Sequence, residues 1–170
     1  MQPELRNICL VRHAKSSWAD PLLPDISRPL NDRGFRDAPF MAEKMKELGI
    51  SPDLILTSPA NRAKTTAKYF RDAHGLSKKD FWEVDELYGA SPWDMISEIQ
   101  QVPAHYRSVF VFGHNPTMTS LANMFPGVDI DNVPTCGILQ AKTMVAEWSS
   151  WSPDVSAFVG FYYPKQYFHA

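Results

Sequence analysis

The chain is poor in cysteine and carries no excess of charge of either sign. Its two cysteines, Cys9 and Cys136, stand far apart in 170 residues, and neither belongs to a pair at metal-ligand spacing. Cys9 lies in an apolar run, where a thiol serves as a small hydrophobe. The pattern argues against a structural disulfide, which suits a reducing compartment, and the expected location is cytoplasmic. Lysine and arginine number 17 against 19 aspartates and glutamates, for a net charge of -2. No global field therefore recruits nucleic acid or an anionic membrane. No apolar run is long enough to span a bilayer, and Met1 to Asn7 lacks the apolar core of a signal peptide. Internal repeats and low-complexity tracts are also missing. Any anion site must be built locally, from a few cations.

What is present is ordinary for a globular protein, with 44% apolar and 21% charged residues. The length suits a single domain over residues 1–170, large enough to bury a core without metal or disulfide. Ile8-Cys9-Leu10-Val11 reads as a buried strand. A polar loop with three prolines follows, through Arg28-Pro29-Leu30. Asn31-Asp32 starts a helix whose apolar positions Phe35, Ala38, Met41, Ala42, Met45 and Leu48 recur at helical spacing, and Gly49 ends it. Pro39 conflicts with an unbroken helix there and predicts a kink or a late start. Leu54-Ile55-Leu56 is a second buried strand, after which Ser58 is the predicted N-cap and Pro59 the first residue of a helix to about Ala73. Phe81 to Val84 predicts a third strand, Asp85 to Ser91 a turn, and Pro92 opens a helix to about Gln100. Val109-Phe110-Val111-Phe112 is the clearest strand. Beyond it Asn115 is the expected cap and Pro116 the start of another helix. Gly137 to Trp148 and Ser156 to Tyr163 read as two aromatic and β-branched strands. Alternating strands and helices predict an α/β three-layer sandwich with a largely parallel central sheet of about six strands flanked by helices.

Three of these strands end in residues that suit one task. The first ends at Arg12-His13, the second leads to Arg62, and the fourth ends at His114. Ligands of open α/β sheets collect beyond the carboxyl ends of the strands. If the strands are parallel neighbours, two arginines and two histidines converge with two helix N-termini on one crevice. Such a crevice suits a phosphoryl group, whose oxygens planar guanidinium groups hold bidentately. A neutral imidazole with one nitrogen held as donor can attack phosphorus through the other, which makes His13 the candidate nucleophile. His114 would donate to a phosphoryl oxygen. No metal or other cofactor is expected, because the arginines and histidines supply the positive charge.

The segments Leu10-Val11-Arg12-His13-Ala14-Lys15, Ser58-Pro59-Ala60-Asn61-Arg62-Ala63-Lys64-Thr65-Thr66-Ala67 and Gly113-His114-Asn115-Pro116 resemble the histidine phosphatase superfamily, which includes the cofactor-dependent phosphoglycerate mutases. Arg28-Pro29-Leu30-Asn31-Asp32-Arg33-Gly34 and the short chain resemble its compact phosphohistidine phosphatase branch, the SixA-like proteins. The resemblance covers roughly residues 7 to 125, with the blocks in the family's order. It implies a phosphoglycerate mutase-like fold, His13 as the phosphorylated residue, and Arg12, Arg62 and His114 as phosphoryl ligands. It also implies a carboxylate proton donor between the second arginine block and the second histidine. Glu86 matches that place best, with Asp85 in reserve. Only 23 residues lie between Arg62 and Glu86 and 27 between Glu86 and His114, which leaves little chain for a lid and predicts an open site.

Secondary contacts are expected of Arg28, as an anion contact or, with slight preference, as a partner of Asp25. Lys15 and Ser16 stand at the edge of the same pocket. His74, His105 and His169 read as surface residues, and Trp148, Trp151 and Phe158-Phe161-Tyr162-Tyr163 as core and strand packing. The whole predicts a phosphatase working through a phosphohistidine intermediate, monomeric by expectation, on a protein phosphohistidine. The rivals are a small-molecule phosphomonoesterase on the same site and a non-catalytic phosphate-sensing or scaffold module.

Overall fold

The computed structural model describes residues 2–168. Six strands, β1 (Glu4–Arg12), β2 (Leu54–Thr57), β3 (Phe81–Glu83), β4 (Ser108–Gly113), β5 (Ile138–Val145) and β6 (Ser156–Tyr162), form one sheet in the order β3-β2-β4-β1-β5-β6. The first four in that order run parallel, β5 is antiparallel to β1, and β6 is antiparallel to β5. The sheet is thus mixed and mostly parallel.

Ile8, Cys9, Leu10 and Val11 of β1 are all fully buried, because a central strand covered on both faces needs a continuous apolar run. Alternate residues feed two cores. Cys9, Val11, Ile55, Phe110 and Phe112 pack with Met41, Met45, Ala67 and Phe70 from helices α1 (Asp32–Glu47) and α2 (Asn61–His74). On the other face, Leu10, Leu56, Val109 and Val111 meet Met95 and Ile99 of α3 (Pro92–Gln100), Met118 and Leu121 of α4 (Thr117–Ala122), and the buried Trp148 and Trp151. Each such aliphatic or aromatic side chain contributes roughly 1.5–3 kcal/mol by leaving water. Two helical layers therefore clamp the sheet.

The helix starts refine the sequence reading. Asn31 caps α1 as expected, its side chain accepting from the Gly34 N–H at 2.9 Å. The late start does not occur: α1 begins at Asp32 and runs through Pro39 as one helix. Its buried face (Ala38, Met41, Ala42 and Met45) and this cap hold it despite the lost backbone bond. Helix α2 starts at Asn61 rather than Pro59, since Ser58-Pro59 forms the elbow between strand and helix. Helix α4 starts at Thr117, one residue late, while the Asn115 side chain still accepts from the Thr119 N–H. Phe158 is exposed, against its reading as core, because β6 is an edge strand bonded only to β5. His74 is also misread as a surface residue. It is half-buried between the Ser51 hydroxyl and the Ala42 carbonyl and stacks on Phe70. His105 is exposed, and His169 lies outside the described residues. Among the described residues no helix is long and apolar enough to cross a membrane.

Candidate active site

Parallel register brings the strand ends level. Arg12 of β1 pairs with Gly113 of β4, and Thr57 of β2 with Phe112. The residues that follow, His13, Ser58 and His114, are therefore adjacent although distant in sequence. The His13 and His114 rings lie 5.2 Å apart between centroids. His13 is buried, its N–H donates to the Gly113 carbonyl, and its own carbonyl accepts from the Cys136 N–H.

Its tautomer follows from one bond. Nδ1 of His13 lies 2.7 Å from the Ala14 carbonyl oxygen, and a carbonyl can only accept, so the proton sits on Nδ1. The Nε2 lone pair is left as the reactive atom. Burial, opposed by the Ala14 carbonyl and aided by the charges of His114, Arg62 and Arg12, pushes the His13 pKa down to about 3. The imidazole is neutral at physiological pH, as a nucleophile must be. His114 is lowered to about 4, first by burial and then by Arg62. Its Nε2 lies 2.8 Å from Ser58 Oγ, which also accepts from the Ala60 N–H. If Ser58 donates to Nε2, the single proton of the neutral His114 ring sits on the buried Nδ1.

The cations are held from behind. Arg12 donates Nη1 to the Val133 carbonyl at 3.0 Å. Arg62, in the first turn of α2, gives Nη1 to the Asp25 carbonyl at 2.7 Å and Nη2 to the Asp25 carboxylate at 3.0 Å. Arg28 gives Nη2 to Ser16 Oγ at 2.8 Å, and the Trp18 ring stacks on its guanidinium at 3.4 Å. Among the described residues, the buried Arg12 Nε, Arg28 Nη1, Arg62 Nε and His114 Nδ1 nonetheless carry no hydrogen bond, and Arg28 Nε meets Asp25 only at ion-pair distance. Leaving such donors unsatisfied costs about 1–3 kcal/mol each, and proteins rarely tolerate it. Three unpartnered guanidinium nitrogens and an imidazole nitrogen beside a nucleophilic one fit the oxygens of a phosphoryl group. Burial also pulls Arg12 and Arg28 below their usual pKa, a strain that an arriving anion relieves.

The structure thus brings together Arg12, His13, Arg28, Arg62 and His114, with Ser16 buried as the support of Arg28. Arg28 Nε faces Asp25 Oδ1 at 3.4 Å, the pairing expected of it. The Lys15 backbone carbonyl accepts from the Asn31 N–H, which ties the loop to α1. Glu86 and Asp85 are not brought in. Both are exposed on a short 3-10 turn, and Glu86 lines a hollow with Tyr88, Asp94, Ser97 and Glu98. Leu87 is buried beneath the turn, while Tyr88, itself exposed, reaches toward Asp25 and His114. Sequence reading missed Tyr88, whose hydroxyl donates to Asp25 at 2.6 Å and whose ring meets His114 edge-on. It took Ser58 only as a cap and Asp25 only as a partner of Arg28. Tyr88, with Arg62, holds the Asp25 carboxyl below the usual carboxylate range. Among the described residues no cluster of histidine, cysteine, aspartate or glutamate forms a metal site.

Comparison with known proteins agrees with this geometry. The profile of the histidine phosphatase superfamily (branch 1) matches residues 8–101. An uncharacterized protein of Mycobacterium tuberculosis is 30% identical over 165 residues, covering 91% of this chain and all of that one. Among solved structures, SixA of Agrobacterium tumefaciens, a candidate phosphohistidine phosphatase, superposes with a TM-score of 0.79 at 30% identity, covering 94% of this chain and 98% of that one. A protein histidine phosphatase SixA complexed with tungstate has the same fold, with a TM-score of 0.78 at 22% identity over 94% of this chain and 98% of that one. The fold is phosphoglycerate mutase-like.

Proposed function

Since the chain belongs to branch 1 of the histidine phosphatase superfamily, we propose that it hydrolyses phosphohistidine on proteins through a phosphoenzyme at His13. Nε2 of His13 attacks phosphorus, the bond to the leaving group breaks, and Arg12, Arg28, Arg62 and His114 hold the phosphoryl oxygens. Water then attacks the phospho-imidazole, releasing inorganic phosphate and neutral His13.

The observation that carries the substrate choice concerns protons. An alkoxide leaving group needs a general acid. The carboxylate bonded to the arginine of this crevice, Asp25, is held below the usual carboxylate range by Tyr88 and Arg62, and Glu86 stands exposed on its turn, with no hydrogen bond or ion pair to the arginines or histidines of the site among the described residues. A phosphohistidine brings its own proton, because the leaving imidazole is protonated on its other nitrogen. SixA of Agrobacterium tumefaciens, a candidate phosphohistidine phosphatase with the same fold, supports the same reading.

The test compares native protein, His13→Ala and Glu86→Gln on a phosphohistidine protein and on an aryl phosphate. Native protein should release phosphate from the first far faster, and acid quench should trap a phosphoenzyme absent in His13→Ala. Glu86→Gln should stay within about threefold of native on both. Rapid turnover of small esters with none of phosphohistidine would overturn the substrate assignment.

A further inference from the structure

We propose that the loop 17–28, at the mouth of the crevice, is a docking surface for an apolar patch beside the phosphohistidine on a protein substrate. The inference rests on the phosphohistidine reading above. Scattered exposed apolar side chains are ordinary. This loop concentrates them: Trp18 is 72% and Leu22 91% exposed, and Leu23, Ile26 and the neighbouring Tyr88 are exposed as well. Surface turns are normally built from polar residues.

Both ends of the segment belong to the site. Trp18 stacks on Arg28, and Asp25 binds Arg62 and Tyr88. Leu22 stands three residues from Asp25, so its Cα lies within roughly 10 Å of that of Asp25. Leu22 and Leu23 thus lie on the same short loop as Asp25, which holds Arg62 and Arg28 of the site.

The loop is also pinned. Ser17 N–H donates to the Pro29 carbonyl, Asn61 Nδ2 to Ser27, Arg62 Nη1 to Asp25, and Leu22 N–H to the Asp20 carboxylate. Such bonds hold both ends of the loop against the body of the protein and shorten the free segment that carries Leu22 and Leu23, which lowers the entropy cost of binding. A small phosphate ester seated on the arginines has no group to reach these leucines. A protein delivering a phosphorylated side chain to His13 must bring its flanking surface against them, and an apolar flank removes them from water.

The test measures phosphate release by native protein and by the Leu22→Ser/Leu23→Ser variant from three substrates. These are a helical histidine-phosphotransfer domain charged with phosphoramidate, free phosphohistidine, and an aryl phosphate. The expected result is a KM for the charged domain raised about tenfold or more, with both small substrates within about twofold of native. Equal kinetics on all three would overturn the proposal, and so would a parallel loss on all three, which would make the loop a wall of the pocket. A native dimer that the variant dissolves without any change in KM would assign the patch to self-association and overturn it too. Failure of the phosphohistidine reading looks different: native protein would then hydrolyse the aryl ester alone, and the docking proposal would fall with that reading.

Discussion

At the scale of single residues, chemistry here depends on which atom of each ring or guanidinium is already engaged. Arg62 spends both terminal nitrogens on Asp25 and keeps a buried Nε without a partner. Asp25 therefore sets the direction of Arg62, and Tyr88 secures Asp25. Charge-assisted bonds of this kind contribute about 1.5–3 kcal/mol. Asp25→Ala should raise KM for an aryl phosphate about tenfold or more while a phosphoenzyme still forms, and Asp25→Asn should fall between it and native. Unchanged KM in Asp25→Ala would show that Arg62 needs no such hold. The histidines make a second claim, on pH. With His13 pushed down to about 3 and His114 to about 4, both are neutral from pH 5 upward. The acid limb of kcat/KM should then show no enzyme group near the ordinary histidine pKa of about 6.5. A limb at that value shared by substrates of different ionisation would contradict the assignment.

At the scale of elements, the junctions from strand to loop to helix place the groups. The start of α1 packs so closely on the loop after His13 that a Cβ at Gly34 would collide with the Lys15 carbonyl oxygen. That backbone atom cannot swing aside. Gly34→Ala should destabilise the protein by about 1–3 kcal/mol, read as a lower urea midpoint, and should slow the enzyme by displacing the segment after His13. An unchanged midpoint would mean the helix start yields without cost. Such junctions also show what sequence can convey. The change from apolar run to Arg12-His13, and from Phe112 to Gly113-His114, is a local signal, so the sheet and these positions were legible. The Tyr88–Asp25 bond spans 63 positions, and no local pattern announces it. Position in a chain does not fix the direction of a side chain on a turn, so the sequence alone does not set the reach of Glu86. The structure buries Leu87 and leaves Glu86 exposed on that turn. Ser58-Pro59 carries a helix-start signature, yet its hydroxyl serves His114 and the helix begins three residues after Ser58.

At the scale of the whole molecule, a site of neutral buried histidines among cations couples function to stability. Both imidazoles titrate near 6.5 in the unfolded chain but only at about 3 and about 4 in the folded one. Between those values the unfolded state binds more protons, so stability rises with pH across the interval. Their contribution is complete above about pH 6.5 and is lost as pH falls toward 4, because unfolding lets both rings protonate. The loss is on the order of a few kcal/mol, a large part of the stability of a domain this size. Native protein should therefore show a Tm that drops steeply from pH 7 to pH 4.5. In His13→Asn/His114→Asn the two proton sites are gone from both states, so the Tm should fall more gently over the same range. His74 and the carboxylates are common to both proteins and cancel in the comparison. Parallel Tm curves would mean that these rings protonate in the folded protein, and a neutral nucleophile at His13 would then be untenable.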